Sequence, residues 1–171
     1  QKGLYMLHES CAGLPQDQKQ EILEIVKNAF LEICSGEAHE ASLRGKTDIS
    51  RRDYLSIINQ KVAASEATTR IGAILGGGSK KEINQLGHFG RTYGILMTLR
   101  DEFIDIFEAD ELKNRVKKEC LPLPILLTIQ NENRRNSILQ LLNKDLSEET
   151  IENILDLTME SEETKQLLRD M

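Results

Sequence analysis

Apolar residues recur at helical spacing along almost the whole chain, and no β-branched run alternates strictly with polar residues over the length of a strand. The pattern predicts an all-α fold. Leu4, Leu7, His8 and Cys11 share one face of a first segment, residues 3–11, which stops before Gly13-Leu14-Pro15. Over residues 16–43 a 3.6-residue period runs through Ile22, Ile25, Val26, Ala29, Phe30, Ile33 and His39, and residues 44–48 supply a turn. Ser50, followed three residues later by Asp53, resembles a capping box whose carboxylate suits the positive end of a helix. That helix is expected to continue through Tyr54, Ile57, Ile58, Lys61, Ala64, Ser65 and Ile71 to Leu75, where Gly76-Gly77-Gly78 stops it. Another long helix spans residues 80–107. A charged link, 108–119, a helix entered through Pro122 and Pro124, and shorter helices near 132–143, 147–158 and 160–169 complete the chain.

The length of 171 residues with 39% hydrophobic and 29% charged content fits a single helical domain over residues 1–171. A net charge of -6 gives no field to gather nucleic acid or an acidic membrane surface, so neither is expected as a partner. No apolar stretch approaches the roughly 20 residues of a membrane span, and no signal-peptide pattern opens the chain, so a cytoplasmic protein is expected. Cys11, Cys34 and Cys120 lack metal-knuckle spacing and read as reduced thiols. His8, His39 and His88 likewise lack the spacing of a metal-binding pair.

The segment from Leu86 to Asp105 carries the most chemistry. At about 100° per residue, Gly87, Gly90, Gly94, Thr98, Asp101 and Asp105 fall in one narrow stripe of the helix. Interior glycines each cost about 1 kcal/mol relative to alanine, so the stripe is expected to lie bare beside a neighbouring element or a cavity. Asp101 and Asp105, one turn apart, repel unless a cation lies between them, and hard oxygen ligands at this spacing suit Mg²⁺ bound together with phosphates. Read alone, such a pair is also what a solvated helix face looks like. Glu37 and Glu40 share a face of the second helix, and Lys61 stands among apolar residues of the third, as a phosphate contact or as a snorkelling side chain. The triple glycine lacks both the preceding strand and the Gly-Lys-Ser/Thr ending of a phosphate loop and reads as a helix cap.

Taken together, these segments resemble the C-terminal two-thirds of the class I trans-isoprenyl diphosphate synthases over residues 3–127. Gly36-Glu37-Ala38-His39-Glu40 is similar to the family's G-Q-x-x-D, and Lys61-Val62-Ala63 followed by Ile71-Gly72-Ala73-Ile74-Leu75-Gly76-Gly77 to its K-T-A and L-G-A-x-x-G-G. The stretch from Gly94 to Asp105 resembles G-x-x-F-Q-x-x-D-D-x-x-D, the second aspartate-rich motif. The resemblance implies a bundle of long antiparallel helices around a deep cavity and Mg²⁺-dependent condensation of an allylic diphosphate with isopentenyl diphosphate. It also implies roles. Asp101 and Asp105 would bind metal with Glu102 behind them, and Lys61 and Thr98 would meet the substrate diphosphate. Glu37, Glu40 and Arg100 would lie close to substrate, and Gly87, Gly90, Gly94 and Met97 would line the cavity.

The sequence departs from the family pattern at Met97-Thr98 for Phe-Gln, Glu102 for the second Asp, Val62 for Thr and Glu37 for Gln. The first aspartate-rich motif would precede Gly3, so the expected partner is an N-terminal segment or subunit that carries it, in a homodimer or heteromer. Two readings follow: the C-terminal part of a working prenyltransferase, or a non-catalytic or regulatory subunit of a heteromeric one. A terpene cyclase of the related fold fits the glycine-rich and aspartate-rich elements less well.

Overall fold

The computed structural model describes residues 2–171, and the apolar face drawn through Leu4, Leu7 and His8 lies outside the described side chains. Ten α-helices follow one another: α1 (Lys2–Ser10), α2 (Gln16–Ser42), α3 (Arg51–Lys61), α4 (Ala63–Leu75), α5 (Lys80–Phe107), α6 (Ala109–Lys118), α7 (Leu123–Gln130), α8 (Glu132–Leu142), α9 (Glu148–Met159) and α10 (Glu162–Asp170). No strand occurs among the described residues, as the periodicity predicts. None of the described helices is long and apolar enough to cross a membrane. The long helices α2, α4 and α5 pack side by side, with α4 against α5 as the most extensive contact. The short helices α7 to α10 cluster against the C-terminal half of α5 and against α3.

Local chemistry explains most of the helix ends. Ser50 Oγ accepts from the Asp53 amide at 3.1 Å and opens α3, and a complete capping box of Ser79 and Glu82 opens α5. Between them α4 ends at Gly76, after which Gly77 takes φ 75°, a conformation that glycine adopts without a Cβ penalty, and Gly78 N donates to Ala73 O at 2.9 Å.

Two expectations need correction. The helix expected over 50–75 breaks at Val62, where ψ is 9°. Lys61 Cγ lies 3.0 Å from where a Gly36 Cβ would be, and Val62 Cβ lies 2.9 Å from the corresponding point on Gly94. The break is therefore squeezed between α2 and α5 at two glycines, and a β-branched residue with a restricted χ1 occupies it. The charged link expected over 108–119 is the helix α6, whose inner face holds Leu112, Arg115 and Val116.

Buried side chains form two clusters along α5. The larger joins Tyr54, Ile58 and Val62 to Leu99, Phe103 and Ile106 and to α7, buried from Leu123 to Ile129. The smaller joins Cys11, Ile22, Ala73, Ile74 and Ile83 at the far end. Between them Gly87, Gly90 and Gly94 face α4: a Cβ on each would meet Arg70, Thr69 or Ser65 at under 3.0 Å. Of the two surroundings open to the glycine stripe, the structure shows the neighbouring helix, so these three residues serve helix packing rather than line a cavity. In the same stretch Arg91 on α5 bridges Glu32 of α2 at 2.9 Å and Glu66 of α4 at 2.5 Å and donates to the Asn59 carbonyl at 2.6 Å.

Gly90→Ala is expected to lower the free energy of unfolding by about 1–3 kcal/mol, since the new methyl would overlap Thr69 Oγ1 and the Ser65 carbonyl. Gly72→Ala, with no heavy atom within 4 Å of its Cβ, is expected to raise it by about 0.5–1 kcal/mol through helix propensity. Urea titrations of the two variants check the pair.

Candidate active site

The break at Val62 ends α3 with Lys61 turned toward α2. Lys61 Nζ pairs with Glu40 and lies 3.5 Å from Glu37 Oε1, so the structure brings these three expected residues together. Partial burial works against the lysine charge, and the hydrogen bonds and negative charges of Glu40 and Glu37 together more than offset it, so its pKa is held above the ordinary value. Glu37, Glu40, Ala41 and Lys61 line a cleft of about 260 Å³ with Lys118, Glu119 and Cys120 from the segment after α5.

Cys120 connects this cleft to a second cluster. Its carbonyl accepts from Arg115 Nε at 2.7 Å, and the same guanidinium reaches Asp105 Oδ2 through Nη1 at 2.8 Å and Tyr54 OH through Nη2 at 2.8 Å. Glu102 closes the cluster. It accepts from Tyr54 OH at 2.7 Å, from Arg115 Nη2 at 3.2 Å and from the backbone N–H of Leu123 at 2.8 Å. Leu123 is the first residue of α7, entered through Pro122 and followed by Pro124, so neither proline can supply a side-chain cap and Glu102 serves as one. Glu102 and Arg115 are 5% and 6% exposed, which marks the pair as buried charges that need each other.

The stripe residues Asp101 and Asp105 therefore differ in their surroundings. Asp101 is exposed and pairs with its chain neighbour Arg100 at 2.7 Å, both side chains half-exposed. Asp105 is partly buried against Arg115, and its desolvation raises the carboxyl above the usual range despite the opposing pull of the guanidinium. Thr98 and Met97 are partly buried one turn before them. Among the described residues no three acidic, histidine or cysteine side chains converge to hold a metal unaided. The donor set of Asp101 and Asp105 fits a hard cation that takes its remaining ligands from water and phosphate oxygens.

Arg115 and Tyr54 are the residues that sequence reasoning missed as members of this site. The available signal was Arg115 between Leu112 and Val116 on the apolar face of a charged segment.

Family comparison gives these positions a common frame, because the model for Polyprenyl synthetase matches residues 1–158. The chain belongs to the polyprenyl synthetase family. A short chain isoprenyl diphosphate synthase of Methanothermobacter thermautotrophicus is 33% identical over 93 residues, covering 54% of this chain and 29% of that protein. A geranylgeranyl diphosphate synthase of Sulfolobus acidocaldarius is 24% identical over 166 residues, covering 91% of this chain and 50% of its own. The crystal structure of a geranylgeranyl pyrophosphate synthetase from Pyrococcus horikoshii superposes with a TM-score of 0.76 at 23% identity, over 92% of this chain and 50% of that one, and so shares its fold. The chain thus spans half the length of these relatives or less, rather than two-thirds, and the family match runs on through α8 and most of α9, beyond residue 127.

Glu102→Ala is expected to lower stability by about 3–5 kcal/mol, because it leaves Arg115 buried without its carboxylate, whereas Asp101→Ala stays within about 0.5 kcal/mol. Guanidinium chloride unfolding followed by circular dichroism measures both. Burial and the nearby Glu40 push the Cys120 thiol up to about 11, so a thiol reagent at pH 8 is expected to label the exposed Cys34 first in the native protein, with Cys120 protected until unfolding. Peptide mapping of the labelled protein checks the order.

Proposed function

We propose that the chain forms the C-terminal part of a cytoplasmic isoprenyl diphosphate synthase, with an N-terminal segment or subunit supplying the first aspartate-rich motif. The observation that carries the reading is the joining of the Lys61 cleft, through Cys120 and Arg115, to the carboxylate end of α5. The substrate class follows from the relatives, which are named for geranylgeranyl and short-chain isoprenyl diphosphates. Family membership and the fit of Asp101 and Asp105 to a hard cation support Mg²⁺ as the metal.

In this reading Glu37 and Glu40 keep Lys61 extended into the cleft until the allylic diphosphate arrives, and the lysine then exchanges Glu40 for the ligand as a point charge. Thr98 and Arg100 flank the diphosphate near Asp101. The allylic C–O bond breaks with its electron pair leaving on the diphosphate. The double bond of isopentenyl diphosphate attacks the resulting carbocation, and loss of a proton restores an alkene one isoprene unit longer. A bound metal supplies charge that stabilises the departing diphosphate.

An uncovered face supports the need for the other half. Leu86, Phe89, Tyr93, Leu96, Ile104 and Phe107 are exposed along one side of α5, and Phe89 and Tyr93 stack with ring centroids 6.1 Å apart. Apolar surface of this length calls for a covering partner, supplied here by the N-terminal part, with a second copy of the chain completing a dimer. The hold of Arg115 on two of the motif's three acidic side chains favours a second reading, a regulatory subunit with little turnover of its own.

Intact-mass analysis of the native protein is expected to reveal a longer precursor or a co-purifying segment with a D-D-x-x-D motif. That assembly should extend an allylic diphosphate in the presence of Mg²⁺; a folded assembly that binds diphosphate without turnover selects the regulatory reading. By calorimetry, Lys61→Ala should weaken diphosphate binding roughly tenfold even at saturating metal, as expected for one lost charge-assisted contact. Unchanged binding would remove Lys61 from the site.

A further inference from the structure

The Lys61 cleft carries more negative charge than an anion site calls for. Three acidic side chains, Glu37, Glu40 and Glu119, line it against two basic ones, Lys61 and Lys118. Glu40, with a side chain 15% exposed, accepts a hydrogen bond from Lys61 Nζ and anchors the lysine. Glu119 reaches back to α6, where its Oε1 accepts from Asn114 Nδ2 at 2.9 Å and its Oε2 lies 3.8 Å from Arg115 Nε. Glu37 stands apart from both. Its side chain is 57% exposed and lies 3.5 Å from Lys61 Nζ, and a pair so open to water adds little to stability. The lysine is nevertheless kept beside it. Lys61 Cγ lies 3.0 Å from where a Gly36 Cβ would be, so the stem is seated on α2 next to Glu37. An anion that meets Lys61 therefore meets the Glu37 carboxylate as well, and the repulsion grows with each negative charge the anion carries. Glu37 also stands where the G-Q-x-x-D pattern has glutamine, a side chain of nearly the same shape without the charge.

We propose that Glu37 is a specificity-determining residue that sets the Lys61 cleft against highly charged anions, so that a bare diphosphate is held more weakly than Lys61 alone would hold it. The inference rests on the proposed diphosphate contact of Lys61 and refines it. Glu40 fixes where the ammonium lies, and Glu37 sets how much of its charge an incoming anion feels.

Calorimetric titration of the chain with inorganic pyrophosphate and with inorganic phosphate, in the presence of a metal chelator, tests this. Glu37→Gln should bind pyrophosphate roughly fivefold or more tightly than wild type, and phosphate no more than about twofold more tightly, because pyrophosphate carries the larger charge. Glu37→Asp keeps the carboxylate and should stay within about twofold of wild type for both anions. Equal pyrophosphate affinity of wild type and Glu37→Gln overturns the proposal. So does an equal gain for the two anions, or a gain shared by Glu37→Asp, since either traces the change to packing instead of charge. Lys61→Ala separates the role of Glu37 from the wider reading. Added to Glu37→Gln it should cancel the gain. Weaker pyrophosphate binding by Lys61→Ala, with no effect of Glu37→Gln, overturns the role of Glu37 and leaves the Lys61 contact standing. A gain that persists without Lys61, or pyrophosphate binding to none of these proteins, removes Lys61 from the diphosphate site and overturns both.

Discussion

Everything at the carboxylate end of the molecule depends on one buried ion pair, Glu102 with Arg115. A carboxylate and a guanidinium removed from water are tolerated only when each remaining lone pair and N–H finds a partner. Here those partners come from four different elements. Tyr54 brings α3, Leu123 N brings the start of α7, the Cys120 carbonyl brings the segment between α6 and α7, and Asp105 brings the last turns of α5. Burial and the Glu102 carboxylate hold the Tyr54 hydroxyl in its neutral form, where it donates to Glu102 while accepting from Arg115. The pair thus fixes where α6 and α7 lie against α5, and with them Lys118, Glu119 and Cys120 on the wall of the Lys61 cleft.

The other half of the cleft depends on glycine. At Gly36 and Gly94 the absent side chains let the end of α3 lie between α2 and α5, and there the helix breaks. Further along α5, Gly87 and Gly90 bring α4 close enough for Arg91 to span α2 and α4 at once. Small residues therefore place the charges on both sides, and the apolar clusters at the two ends of α5 hold the frame in which they act.

How much of this was legible in sequence follows from the range of each interaction. The bounds of α2 and α5, the Ser50 cap and the Gly76 stop are set by residues a few positions apart, and the periodicity reads them closely. The break at Val62 has no proline or glycine of its own; its cause sits on two other helices. Charge hides α6 as a helix, because only Leu112, Arg115 and Val116 mark its inner face. Glu37 and Glu40 were legible as one face of α2 from helical spacing, whereas Lys61, on another helix, was set beside the same substrate only through the resemblance. The partners of Arg115 were not legible, with Tyr54 61 residues away in the chain. The glycine stripe left neighbour or cavity open because both need a bare surface, and only packing distinguishes them.

A motif's spacing and its chemistry are therefore separate properties in this chain. Helical geometry alone keeps Asp101 and Asp105 one turn apart, whatever surrounds them. What surrounds the two is decided by α6, which approaches from outside the motif and pairs Arg115 with Asp105 while leaving Asp101 to solvent. The same division applies to Glu102. Placed next to Asp101 in sequence, it points about 100° around the helix from it, into the core, where its charge serves the start of α7 instead of the open face. With one carboxylate turned inward, one held and one exposed to solvent, the end of α5 is organised around Arg115.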